Sequence, residues 1–125
     1  MTTGTLLLTL GLAITGVIHL LPAIGLRSGE QLEQLYGLPL ADDDLVLLMR
    51  HRALLFGLLG GLCLTAIVEP TLVPAALTGG WISVTGFLGL AGSGRARRAQ
   101  IRRVIRADWV AVLALALATG GWLAG

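Results

Sequence analysis

Leu6 to Leu26 is an apolar run interrupted by a single ionisable residue, His19. A hydrocarbon core about 30 Å thick is crossed by about 20 apolar residues in a helix, so the run reads as a membrane span. Three more follow. Leu45 to Val68 carries Arg50, His51 and Arg52 in its first two turns and stops at Glu69-Pro70, where proline cannot continue the helical ladder. Leu72 to Gly92 has no ionisable group. Trp109 to Leu123 is short, but the residues from Ile101 onward read as helical and extend it to a span over 104–123. The spans 6–26, 45–68, 72–92 and 104–123 make one domain of the all-α class, an integral membrane four-helix bundle.

Composition supports a membrane solvent. The chain is 55% hydrophobic and 13% charged, against about 45–50% and about 25% for soluble domains. It contains nine arginines and no lysine, and its few aromatic residues leave no stacking platform for nucleic acid. The single cysteine, Cys63, excludes an intramolecular disulfide and a four-thiolate metal site, and it reads as inert packing. No metal site is expected.

Every arginine lies in or beside the first and third connections, which four antiparallel spans place on one side. The positive-inside rule makes that side cytoplasmic. Both termini and the Glu69-Pro70 turn are then placed outside. Met1-Thr2-Thr3-Gly4 lacks the positive stretch of a secretory signal, so the first span reads as retained.

Two connections carry amphipathic signals. After the first span, Ser28 and Gln31 open a short stretch in which Leu32, Leu35 and Leu38 recur at interfacial-helix spacing. Asp42, Asp43 and Asp44 then complement the N-terminus of the second span. Before the fourth span, Arg95, Arg98, Arg102 and Arg106 recur at three- and four-residue steps, opposite Ile101, Val104 and Ile105. Such arginines snorkel to anionic headgroups.

Helices in lipid associate through small residues that let backbones approach, so small-residue stripes mark inward faces. Gly11, Thr15 and Gly16 lead to His19 and Pro22 in the first span. In the second, Arg50, Ala53, Gly57 and Gly61 share a face, which makes Arg50 the inward arginine, with His51 turned about 100° and Arg52 about 200° away. Gly79, Ser83, Gly86 and Gly89 form a smooth ridge on the third. Ala111, Ala114, Ala118 and Gly121 form one on the fourth, beginning at Asp108.

His19 lies seven residues before Leu26 and His51 six after Leu45, so both sit about 10 Å from the arginine-rich end. Ionisable groups within a membrane face partners or cavities, and three arrangements explain His19, Arg50, His51, Arg52 and Asp108. An Arg50–Asp108 or Arg52–Asp108 pair fixes helix register with nothing bound. Alternatively, His19, Arg50, Arg52 and Asp108 line a ligand pocket for an anionic or carbonyl-bearing head such as a lipid phosphate, a quinone or a small acid. In a third arrangement, His19 and His51 are the axial ligands of a b-type haem.

At Leu35-Tyr36-Gly37, at the segment Arg50-His51-Arg52 through Gly57, and at Arg102-Arg103 through Asp108, the chain resembles small bacterial four-helix membrane proteins placed loosely near the DoxX-like superfamily. The resemblance covers almost the whole chain and implies a four-helix bundle with relatives tied to redox or respiratory membranes. Small multidrug exporters resemble a pattern with an acid in the first span, where this chain has His19. Fluoride channels carry an asparagine motif, and this chain has no asparagine. The expected function is an oligomeric or accessory membrane subunit with a lipid- or quinone-binding polar site in the cytoplasmic leaflet. A membrane-embedded redox enzyme using the same layer is the alternative.

Overall fold

The computed structural model describes residues 2–26, 42–92 and 99–125. The expected interfacial stretch after the first span lies outside the described residues, as do Arg95 and Arg98. Every regular element among the described residues is helical: α1 (Thr3–Leu20), a 3₁₀ segment (Leu21–Leu26), α2 (Asp43–Val68), a 3₁₀ turn (Pro70–Leu72), α3 (Val73–Ala91) and α4 (Ala99–Ala124). Four stretches have the length and hydropathy to cross a membrane: Thr3–Ala23, Asp43–Val68, Pro70–Ala91 and Ile101–Ala124. The protein is an all-α, multi-pass membrane four-helix bundle.

Local chemistry sets the ends of these helices. Thr2 caps α1, its hydroxyl accepting from the Thr5 amide at 3.0 Å. At the other end, Pro22 has no N–H to offer the Ile18 carbonyl, and α1 tightens into the 3₁₀ segment. Asp42 caps α2 by accepting from the Asp44 amide at 2.9 Å, with Asp43 and Asp44 in the first turn. Glu69-Pro70 ends α2, and the Thr71 hydroxyl donates to the Glu69 carboxylate at 2.8 Å. α3 stops at Gly92, whose φ of 67° lies in the left-handed region that glycine enters without strain.

α1 packs on α4 and α2, and α3 packs on the same two helices, so α1 and α3 face each other across the diagonal. Gly4 meets Gly121 and Gly11 meets Ala114 and Ala118, which makes α4 antiparallel to α1. Gly16 meets Gly60 while Ala23 meets Gly57, which does the same for α2. Backbone approach requires glycine at these crossings. A Cβ on Gly60 would stand 2.7 Å from the Gly16 carbonyl, and one on Gly11 would run into the Ala114 carbonyl. Leu12, Val73, Val84 and Leu115 fill the space between helices and are fully buried or nearly so.

The inward ridges expected on α1 and α4 are buried at Gly11, Thr15, Gly16 and His19, and at Ala111, Ala114, Ala118 and Gly121. On α2 the expected face is corrected. Ala53, Gly60, Cys63 and Ala66 are buried, whereas a Cβ on Gly61 would meet nothing within 4 Å. α3 is turned in part from its expected ridge: Leu77, Gly80 and Val84 are buried and Gly86 and Gly89 face outward, while Gly79 meets Leu59 and Ser83 faces the bundle. Bulky neighbours choose between adjacent small-residue stripes, because Leu20 and Leu64 fit beside Gly60 and Gly16.

Candidate functional site

Where α1 loses its regular turn at Pro22, its neighbours do not close the space. A cavity of about 130 Å³ opens there, among the end of α1, the first part of α2 and the first part of α4. Its apolar walls include Ile18, Leu21, Pro22, Phe56, Val104 and Ala107. Its ionisable groups are His19, Arg52, Arg103 and Asp108.

His19 is 2% exposed and committed at both ring nitrogens. Nδ1 lies 2.9 Å from the Thr15 carbonyl, which only accepts, so Nδ1 carries the proton. Nε2 lies 3.0 Å from the Ser83 hydroxyl on α3, which donates to it in the neutral imidazole. The bond crosses the bundle diagonal and ties α1 to α3. The Phe56 ring stands 5.7 Å from the imidazole at a tilt of 44°. Thr15 takes part through its carbonyl; among the described residues its buried hydroxyl makes no hydrogen bond.

Arg52 is held by stacking. Its guanidinium carbon lies 4.4 Å from the centre of the Phe56 ring, one helical turn on, and 5.9 Å from that of Phe87 on α3. Cation–π contacts of this kind gain strength when desolvated. Asp108 on α4, half-buried, faces the same cavity and feels the Arg52 charge. Arg103, one turn before Ala107, is exposed and forms part of the rim.

The structure thus brings together three of the expected residues, His19, Arg52 and Asp108. Arg50 and His51 are exposed and do not line the cavity. The expectation that Arg50 is the inward arginine is corrected: the buried face of α2 runs through Ala53, Gly60 and Cys63. At about 100° per residue, that face centres nearer Arg52 than Arg50. A bis-histidine haem needs His51 turned towards His19, and His51 lies on the outer side of α2.

Sequence reasoning missed Arg103 and the ring contacts of Arg52, and it set Ser83 on the inward ridge of α3 without its bond to His19. The four-residue spacing of Arg52 and Phe56 was a readable signal, since such pairs meet on a helix. The pairing of Ser83 with His19 had no such signal, because the bond joins residues 64 apart in the chain.

A second cleft of about 380 Å³ opens at the opposite end, with Thr2, Thr5, Thr9 and Trp122 in its lining. Among the described residues, no ionisable side chain lines it. Chemistry therefore concentrates at the smaller cavity, whose groups can hold an anion or a carbonyl oxygen against apolar walls. Comparison of the chain with protein families, with curated proteins and with solved structures returns no match.

Proposed function

We propose that the protein is a non-transporting, oligomeric or accessory subunit of a bacterial inner membrane that binds the polar head of a membrane amphiphile. Its arginine-rich end faces the cytoplasm and both termini face the periplasm. The positive-inside rule supports this orientation, since all nine arginines belong to the connections and helix ends of that side. Arg95, Arg98, Arg102 and Arg106 hold it there by meeting anionic headgroups. The loose resemblance to the DoxX-like superfamily is compatible with an accessory role in a larger complex or a homo-oligomer.

The observation that carries this reading is the cavity, with apolar walls and Arg52 and Asp108 at one depth. An apolar cavity of about 150 Å³ accommodates one benzene ring, so about 130 Å³ takes a phosphate, a carboxylate or a single ring, and excludes a hydrocarbon tail. Arg52 supplies the donor and Asp108 orients it. His19, satisfied on both nitrogens, serves as a positioning residue that fixes the floor. A lipid head and a quinone head both meet these requirements.

Native mass spectrometry of protein purified in a mild detergent, with an absorption spectrum of the same sample, tests the reading. A retained lipid or quinone mass is expected. A bare chain, or a Soret band, overturns it. The exchange Arg52→Asp with Asp108→Arg separates the reading from a structural ion pair: the exchanged protein should fold yet lose its ligand, whereas a purely structural pair would leave the retained mass unchanged.

A further inference from the structure

The cavity is too small for an acyl chain, so the direction in which its mouth opens decides what kind of molecule reaches it. Its two exposed rim residues are Leu21 and Arg103. Each ends an outward stripe. On α1, Leu10, Ile14, Val17 and Leu21 are all exposed and fall within about 60° of one another around the helix. On α4, exposed residues run from Arg103 and Arg106 to Val110, Leu113 and Leu117 at three- and four-residue steps. In a bundle that spans a membrane, exposed apolar stripes face lipid. The rim therefore sits where the lipid-facing surfaces of two adjacent helices reach the arginine-rich interface.

Charge narrows the occupant further. Among the described residues, Arg52 and Arg103 bring two positive charges and Asp108 at most one negative, so this part of the lining is net positive whether or not Asp108 is ionised. Contacts with the Phe56 and Phe87 rings hold the Arg52 guanidinium at the cavity, and a guanidinium fork suits phosphate oxygens. Arg103, at the rim, meets the head as it enters.

We propose that the occupant is an anionic phospholipid of the surrounding leaflet, its phosphate seated between Arg52 and Arg103 and its chains lying outside, along the groove between α1 and α4. This rests on the reading of the cavity as an amphiphile site and adds to it the charge of the head and sideways entry from the bilayer. Arg102 and Arg106 attract headgroups to the interface at large, whereas the cavity holds one lipid in place.

The test is native mass spectrometry of protein delipidated in a non-ionic detergent and titrated separately with phosphatidylglycerol, phosphatidylcholine and glycerol 3-phosphate. One phosphatidylglycerol per chain is expected, with phosphatidylcholine weaker by about fivefold or more, the value of one arginine charge at a membrane surface. Glycerol 3-phosphate, which has the head and no chains, should not be retained. Arg103→Gln should weaken phosphatidylglycerol about fivefold and phosphatidylcholine less, because its choline already offsets the phosphate charge, and Arg106→Gln should have a smaller effect on phosphatidylglycerol. Ala107→Leu fills the cavity without removing a charge and should abolish retention of both lipids.

Equal binding of the two phospholipids, with Ala107→Leu still abolishing it, overturns the anionic preference and leaves the amphiphile reading standing. Glycerol 3-phosphate binding as well as phosphatidylglycerol overturns entry from the bilayer. Equal losses in Arg103→Gln and Arg106→Gln overturn the cavity as the place of binding. No effect of Ala107→Leu overturns the amphiphile reading itself. If a variant fails to fold, the comparison of the three ligands on the unaltered protein decides.

Discussion

Along α1 the packing changes character within a few residues. From Gly4 to Gly16 the helix lies backbone to backbone against α4 and α2, close enough that a methyl group at Gly11 or Gly60 would overlap a carbonyl. From Ile18 to Pro22 the same helix borders a cavity, and its neighbours offer guanidinium and carboxyl groups. Without a hydrophobic drive between helices in lipid, close approach is the chief source of cohesion. The seam therefore carries the fold. The end of α1, released from that duty by Pro22, can leave room for a ligand.

The contrast breaks most sharply at Gly11. Gly11→Val places two methyl groups against the Ala114 carbonyl and Ala118, and neither helix backbone yields without losing the crossing. The expected loss of stability is about 3 kcal/mol, the upper end for overpacking, measured by unfolding in mixed SDS micelles. The loss should be the same with or without added phosphatidylglycerol, because the seam lies away from the cavity. A tolerated valine would show that α1 and α4 do not cross at Gly11.

A smaller effect, located in the polar region, is expected from Ser83→Ala. The substitution leaves His19 Nε2 without its donor in a site that is 2% exposed. Hydrogen bonds between membrane helices are worth about 0.6 kcal/mol on average, whereas a buried group left unpaired costs about 1–3 kcal/mol. The burial of His19 favours the second figure, so a loss of about 1 kcal/mol is expected at its lower edge. Nitrogen NMR of the imidazole should still show the proton on Nδ1, because the Thr15 carbonyl remains in place. A proton found on Nε2 would show that the Thr15 carbonyl does not hold it on Nδ1.

These two residues also mark what the sequence could and could not disclose. Four apolar runs fix the number of helices and the class of fold, and the Gly11–His19 and Ala111–Gly121 stripes are the faces that α1 and α4 bury. α2 offers Gly57, Gly60 and Gly61, whose directions differ by as much as about 100°. Only Leu20, arriving from α1 beside Gly60, selects among them. That choice moves Arg52 rather than Arg50 to the cavity. The same ambiguity displaced the ridge expected on α3, where Gly80 packs against Leu115 while Gly86 and Gly89 turn outward. The His19–Ser83 bond depends on two helices that share no local pattern, and no spacing rule reaches it.

The smallest expected effect tests the outward glycines, and it sharpens the comparison from the other side. A Cβ on Gly86 would meet nothing within 4 Å, in contrast to Gly11. Alanine is the better helix former by up to about 1 kcal/mol, and at Gly86 it displaces no atom of the described residues. Gly86→Ala should therefore leave stability in mixed micelles unchanged or raise it by less than about 1 kcal/mol. A loss of stability would require another backbone at that face, and within a membrane a second copy of the chain is a candidate for it. Repeating the measurement across a tenfold range of protein-to-detergent ratio separates the cases: an effect confined to one chain is independent of dilution, whereas one that acts through a second copy fades as the copies part.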